Sequence, residues 1–114
     1  MNIDNKNLTS QQICKRALMV KKMQSLGDPK FKEYHETVYT DGIWTIDLEV
    51  HQYGQVRFWV SREDKHGNFN QSLFTMYRLG TGEIKYNADY VIKKGIVDKL
   101  TKTFEYMEKC GLVA

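Results

Sequence analysis

Apolar positions repeat along this chain with two different periods. Over residues 9–26, TSQQICKRALMVKKMQSL, the period is helical: at 100° per residue Ile13, Ala17, Met19, Val20, Met23 and Leu26, with Leu8 just ahead, fill about half of the circumference. Lys15, Lys21 and Lys22 take the other half. Thr9 and Gln12 have the spacing of a capping box, and Gly27 followed by Pro29 ends the pattern. The same period returns over residues 88–110, where Ile92, Ile96, Leu100, Phe104 and Met107 form a stripe with Tyr90 and Val97 at its edge. Asp98 with Lys102 and Glu105 with Lys109 stand acid-first at i,i+4, each pair adding about 0.3 kcal/mol. Gly111 and Leu112 suit a glycine cap with its hydrophobic follower.

Between these helices the period falls to two. Val, Ile, Thr, Tyr, Phe and Trp dominate, and DG, YGQ, DKHGN and LGTGE interrupt them. Strands are expected at about 31–40, 43–52, 56–62, 70–79 and 83–87. A helix at each end of a strand-rich middle implies a single α+β domain over residues 1–114, with a four- or five-stranded antiparallel sheet and the terminal helices packed mainly on one face.

Register gives the sheet two unlike faces. Trp44, Ile46, Leu48 and Val50 share one side of the second strand; Thr45, Asp47, Glu49 and His51 share the other. In the third strand Val56, Phe58 and Val60 oppose Arg57, Trp59 and Ser61. The apolar sets meet if Val50 faces Phe58 and Leu48 faces Val60, which requires a three- or five-residue loop, or a bulge, around Gly54. That pairing places Trp59 on the polar side, opposite Glu49 and next to Arg57 and His51. The fourth strand is apolar both ways, with Leu73, Tyr77 and Leu79 on one side and Phe74 and Met76 on the other. One of those sets must join Trp59, making a face too apolar for water alone. A helix, a second copy, a protein partner or stacked bases would cover it. The candidate binding residues are therefore Trp59, Arg57, Tyr77, His51, Glu49 and Arg78, since Trp, Tyr and Arg are the usual anchors of interfaces.

Composition narrows the classes. With 41% hydrophobic and 27% charged residues the chain is an ordinary globular one. The apolar runs are short and the start MNIDNKNLTSQQ is polar, so neither a membrane span nor a secretory signal is expected, and a cytoplasmic location follows. Cys14 and Cys110 show no C-x-x-C spacing and read as buried reduced thiols, the alternative being a bridge between the terminal helices. A net charge of +3 permits nucleic acid without demanding it.

Chemistry is scarce. His35, His51 and His66 are isolated in sequence and none has zinc-ligand spacing. In EYHE, Glu33 and His35 share a strand face that Glu36 does not. No serine or cysteine has the setting of a nucleophile, and LGTGE lies between strands, where it is a turn and no phosphate cradle. No catalytic residue, metal site or cofactor is expected.

The order helix, antiparallel strands, helix resembles the mitochondrial complement-binding matrix protein family, which implies an oligomeric, non-enzymatic interaction protein. Residues 31–110, with the aromatic-rich DGIWTIDLEVHQYGQVRFWVSREDKHGNF, also resemble a PUR-type repeat, which implies single-stranded nucleic-acid binding on the sheet. The expectation is a non-enzymatic module that self-associates and binds a macromolecular partner through the Trp59 face, the alternative being a nucleic-acid binder in which Arg57, Arg62 and Arg78 hold phosphates beside Trp59.

Overall fold

A computed structural model describes residues 7–112. Helix α1 spans Ser10–Ser25, a short 3-10 turn covers Pro29–Phe31, and strands β1 (Glu33–Asp41), β2 (Trp44–His51), β3 (Val56–Glu63), β4 (Phe69–Arg78) and β5 (Ile84–Asn87) precede helix α2 (Lys94–Lys109). The strands form an antiparallel meander in the order β1-β2-β3-β4-β5. The fold is α+β.

Local chemistry sets the helix ends. The Thr9 hydroxyl accepts from the Gln12 amide while the Gln12 side chain accepts from the Thr9 amide, so both halves of the capping box form. At the other end Gly27 takes φ +80, and the Asp28 amide reaches back to the Met23 carbonyl. Gly111 at φ +75 does the same for α2, where Leu112 donates to Met107 and Gly111 to Glu108. Both are Schellman closures that need a residue at ease with positive φ.

The helices depart from expectation in their bounds, their ion pairs and the width of their buried stripe. Helix α2 begins at Lys94, six residues later than the apolar stripe suggests, because residues 88–93 are held to the sheet instead. The Tyr90 hydroxyl donates to the Val60 and Asn70 carbonyls, and the Asp89 amide donates to the Ser72 hydroxyl. Asp98 pairs with Lys94 at 2.7 Å rather than with Lys102, and Lys109 stands over the Tyr106 ring. In α1 the buried stripe is narrower than half a circumference. It runs through Ile13, Cys14, Ala17, Val20 and Gln24, while Leu18, Met19 and Leu26 are exposed.

Both helices lie on one side of the sheet. Ile13, Ala17 and Val20 of α1 and Ile96, Leu100 and Met107 of α2 join Val38, Ile46, Leu48, Val50, Phe58, Val60 and Phe74 in one buried cluster. Burial of such side chains contributes about 1.5–3 kcal/mol apiece, which makes this layer the main source of stability. Gln24 fastens the end of α1 by donating to the carbonyls of Phe31 and Val50. With one helical layer on one sheet, the molecule is flat, with extents of 44 × 43 × 22 Å.

The register keeps the expected parity and slips by two residues. Leu48 faces Phe58, Val50 faces Val56 and Ile46 faces Val60, so five residues separate the last β2–β3 pair, the first of them His51 at the end of β2. Trp59 therefore lies on the side away from the helices, opposite Asp47, and Glu49 faces Arg57. In the β1–β2 hairpin Asp41 pairs with Trp44 across Gly42 and Ile43, and Gly42 takes φ +61 as the first position of such a turn requires. Farther along, the ladder passes from Tyr39↔Ile46 to Thr37↔Asp47, leaving Val38 as a bulge.

Candidate functional site

The face turned away from the helices carries Glu33, His35 and Thr37 from β1, Asp47, Glu49 and His51 from β2, Arg57, Trp59, Ser61 and Glu63 from β3, Phe69, Gln71, Leu73, Thr75 and Tyr77 from β4, and Lys85 from β5. Its centre is Glu49. Only 7% of this residue is exposed, and a carboxylate so placed needs partners for its lone pairs. Trp59 Nε1 donates to Glu49 Oε1 at 3.2 Å. His51 Nε2 stands 3.3 Å from the same oxygen, and His35 Nε2 stands 3.2 Å from Oε2. Glu33 Oε1 lies 3.9 Å from the other ring nitrogen of His51. Beside them the Thr37 hydroxyl donates to Asp47 at 2.7 Å.

These contacts fix the Trp59 ring. Its nitrogen is tied toward β2, and Leu73 is its register partner on β4. Phe69 and Tyr77 lie farther along the same face of β4, beyond Gln71 and Thr75, with 57% and 41% of their surface open. The result is a half-buried Trp59–Leu73 centre flanked at a distance by two exposed aromatic side chains and edged by charge.

Of the sequence-derived site residues, Trp59, Glu49, His51, Arg57 and Tyr77 share this face. Arg78 does not, because β4 alternates and the residue after Tyr77 points to the helices. Its guanidinium makes two bonds to Glu108 of α2, at 2.6 and 3.0 Å, and a third to the Gly82 carbonyl. Arg62 likewise belongs to the helix side, over the Trp44 ring. The stacked-base arrangement thus keeps Arg57 and loses both companions.

His35 and His51 are not isolated. The β1–β2 register sets Glu33 across from His51 and His35 across from Glu49, so the imidazoles meet edge to face at 6.2 Å. Glu33 and His35 are thereby site residues that sequence spacing missed. Glu36, on the opposite face as EYHE implies, is bound by Arg16 and by the Tyr34 hydroxyl. Burial first, and the bond to Glu36 second, raise the ionisation of the Tyr34 phenol above its ordinary value, with Arg16 acting the other way.

Among the described residues no group of three or more His, Cys, Asp or Glu is disposed to hold a metal ion. A shallow cleft of about 260 Å³ adjoins the histidines, walled by Lys32, Glu33, His51 and the 52–54 loop. A second, of about 360 Å³, lies on the helix side between Ser10, Lys99, Lys102 and Tyr106. No helix among the described residues is long and apolar enough to cross a membrane. Comparison with protein families, with curated proteins and with solved structures gives no match.

Proposed function

We propose that this protein is a non-enzymatic interaction module that self-associates, and engages a macromolecular partner, through the Trp59 face. The observation that carries the reading is one-sidedness: both helices pack against the other side of the sheet, leaving Trp59, Leu73, Phe69 and Tyr77 uncovered among the described residues. Aromatic side chains held half-open on a flat surface are the kind that protein interfaces most often bury. The flat side is ample for the roughly 800 Å² per partner of a standard interface.

Charge favours a second copy as occupant. On this face Glu33, Asp47 and Glu63 outnumber Arg57 and Lys85. The outward back of α1 offers the complement. It carries Lys15, Lys22, Leu18 and Met19, all exposed, and the helix has no acidic residue at all. Copies stacking head to tail would set this basic, apolar ridge on the acidic, aromatic sheet. Such a contact is heterologous and leaves a free face at each end of the stack.

Light scattering over a range of concentrations tests the reading. The wild type is expected to gain mass with concentration and to lose it with added salt. Trp59→Ala and the double variant Lys15→Glu, Lys22→Glu should each stay monomeric alone. Mixed, they should form a 1:1 dimer and nothing larger, since each retains the surface the other lacks. A wild type that stays monomeric at every concentration overturns self-association.

A further inference from the structure

The two cysteines of the chain are 96 positions apart in sequence, yet their sulfurs stand 3.6 Å from one another. Cys14 faces inward from α1, beside Ile13 and Ala17 in the core. Cys110 caps the end of α2, where its amide is held by the carbonyls of Tyr106 and Glu108 and the Schellman turn at Gly111 follows. The pair differs in access: Cys14 is buried and Cys110 is exposed. The sequence reading of two buried thiols thus holds for Cys14 alone.

We infer that Cys14 and Cys110 form a dithiol redox site that small-molecule disulfides oxidise to a bond joining α1 to α2, with Cys110 the attacking sulfur and Cys14 the resolving one. The inference stands apart from the Trp59 face, which lies across the sheet. Three features carry it. A disulfide has its sulfurs about 2.05 Å apart, so closure needs a movement of about 1.5 Å, within the reach of side-chain rotation. One sulfur is open to a reagent and the other is sheltered, the division of labour a two-step exchange uses. Burial first, and the neighbouring Cys110 second, push the Cys14 thiol up to about 11, so a reagent in solution meets Cys110 first and Cys14 acts second, from within reach of the mixed disulfide.

The steps balance. The Cys110 thiolate attacks one sulfur of R–S–S–R; a Cys110–S–S–R bond forms, the R–S–S–R bond breaks, and RS⁻ leaves and takes up the proton that Cys110 released. Cys14 then gives its proton to solvent, and its thiolate attacks the Cys110 sulfur. The Cys14–Cys110 bond forms, a second RS⁻ departs and is protonated. Two protein thiols lose two electrons in all, and one R–S–S–R becomes two RSH. The bond closes a loop of nearly the whole domain, the geometry in which a crosslink most restricts the unfolded chain.

Glutathione disulfide is the probe, added to the folded full chain at set ratios to glutathione and read by intact-mass spectrometry without reductant. The wild type should end two hydrogens lighter, as a monomer, with no retained glutathione. Cys14→Ser should stop at a stable mixed disulfide on Cys110, and Cys110→Ser should stay unmodified while folded. The oxidised wild type should show an unfolding constant roughly a thousandfold lower than the reduced form in urea. Retained glutathione as the wild-type end point, modification of Cys110→Ser at the wild-type rate, or bonds between chains instead of within one would each overturn the inference. Should Cys14→Ser fail to fold, Cys14→Ala supplies the same readout with an apolar side chain in the core.

Discussion

His35 stands opposite Glu49 because the β1–β2 ladder skips Val38. The turn that pairs Asp41 with Trp44 would, in an unbroken ladder, bring Glu36 across from Glu49 and His35 across from Val50. Two carboxylates would then oppose each other directly, a destabilising arrangement. The bulge sends Glu36 to the helix side, where Arg16 and Tyr34 meet it, and delivers an imidazole to Glu49 in its place.

Trp59→Phe is expected to cost about 1–2 kcal/mol of unfolding free energy, measured by urea denaturation. An aromatic ring is kept, but its fused pyrrole half goes, and Glu49 Oε1 loses the indole N–H while staying buried. In Glu49→Gln the same Trp59→Phe change should cost less, because no buried charge is then deprived of a donor. Equal costs in the two backgrounds would mean that the indole bond does not support the carboxylate.

Stability should decline on the alkaline side through Cys14. Its folded value is raised from 9.0 to about 11, so the contribution is full below about 9 and is lost as pH climbs through about 11. The amount is on the order of 2 kcal/mol. Thermal melts of the reduced protein between pH 8 and 11 check this, and Cys14→Ala should flatten that part of the profile.

The Arg78–Glu108 pair predicts an acid-side effect. Hydrogen bonds from Arg78 hold the Glu108 carboxyl below the ordinary glutamate value of 4.5. Its contribution is present above that value and disappears as pH falls through the lowered one. Arg78→Gln should therefore narrow the stability difference between pH 6 and pH 3, with both groups so exposed that the effect is small.

Two glycines should respond in opposite directions. Gly111→Ala forces a Cβ into φ +75 and should destabilise by about 1 kcal/mol. Gly95→Ala, in the first turn of α2 with open space where the Cβ would go, should stabilise by about 0.5 kcal/mol. Urea titrations of both variants against wild type read the difference in sign.

The face of each central strand was legible because alternation has a strict period. Trp59 had to oppose Phe58, and the capping box at Thr9 and Gln12 and the glycines after each helix marked the ends. The pairing partner was less legible. A slip of two residues keeps every side chain on its face, so alternation alone does not choose Phe58 or Val56 for Val50; the close packing of Gly54 against the His51 Cβ, 3.0 Å from where a side chain would begin, is a loop property. The Val38 bulge changes parity midway through β1 without any break in the apolar pattern, which hid the meeting of His35 with Glu49. The start of α2 was misread because Tyr90 and Ile92 continue its stripe although they pack from an irregular segment. Arg78 was assigned to the wrong side by composition, although its strict alternation with Tyr77 sends it toward Glu108.

At 22 Å through its narrow dimension, the molecule amounts to a sandwich with one slice missing. Helices cover its strands on a single flank, and the other flank of β3 and β4 carries exposed Arg57, Phe69 and Tyr77. Whatever settles over Trp59 would act as a second lining, and its attachment should register as heat resistance that grows with the concentration of the lining.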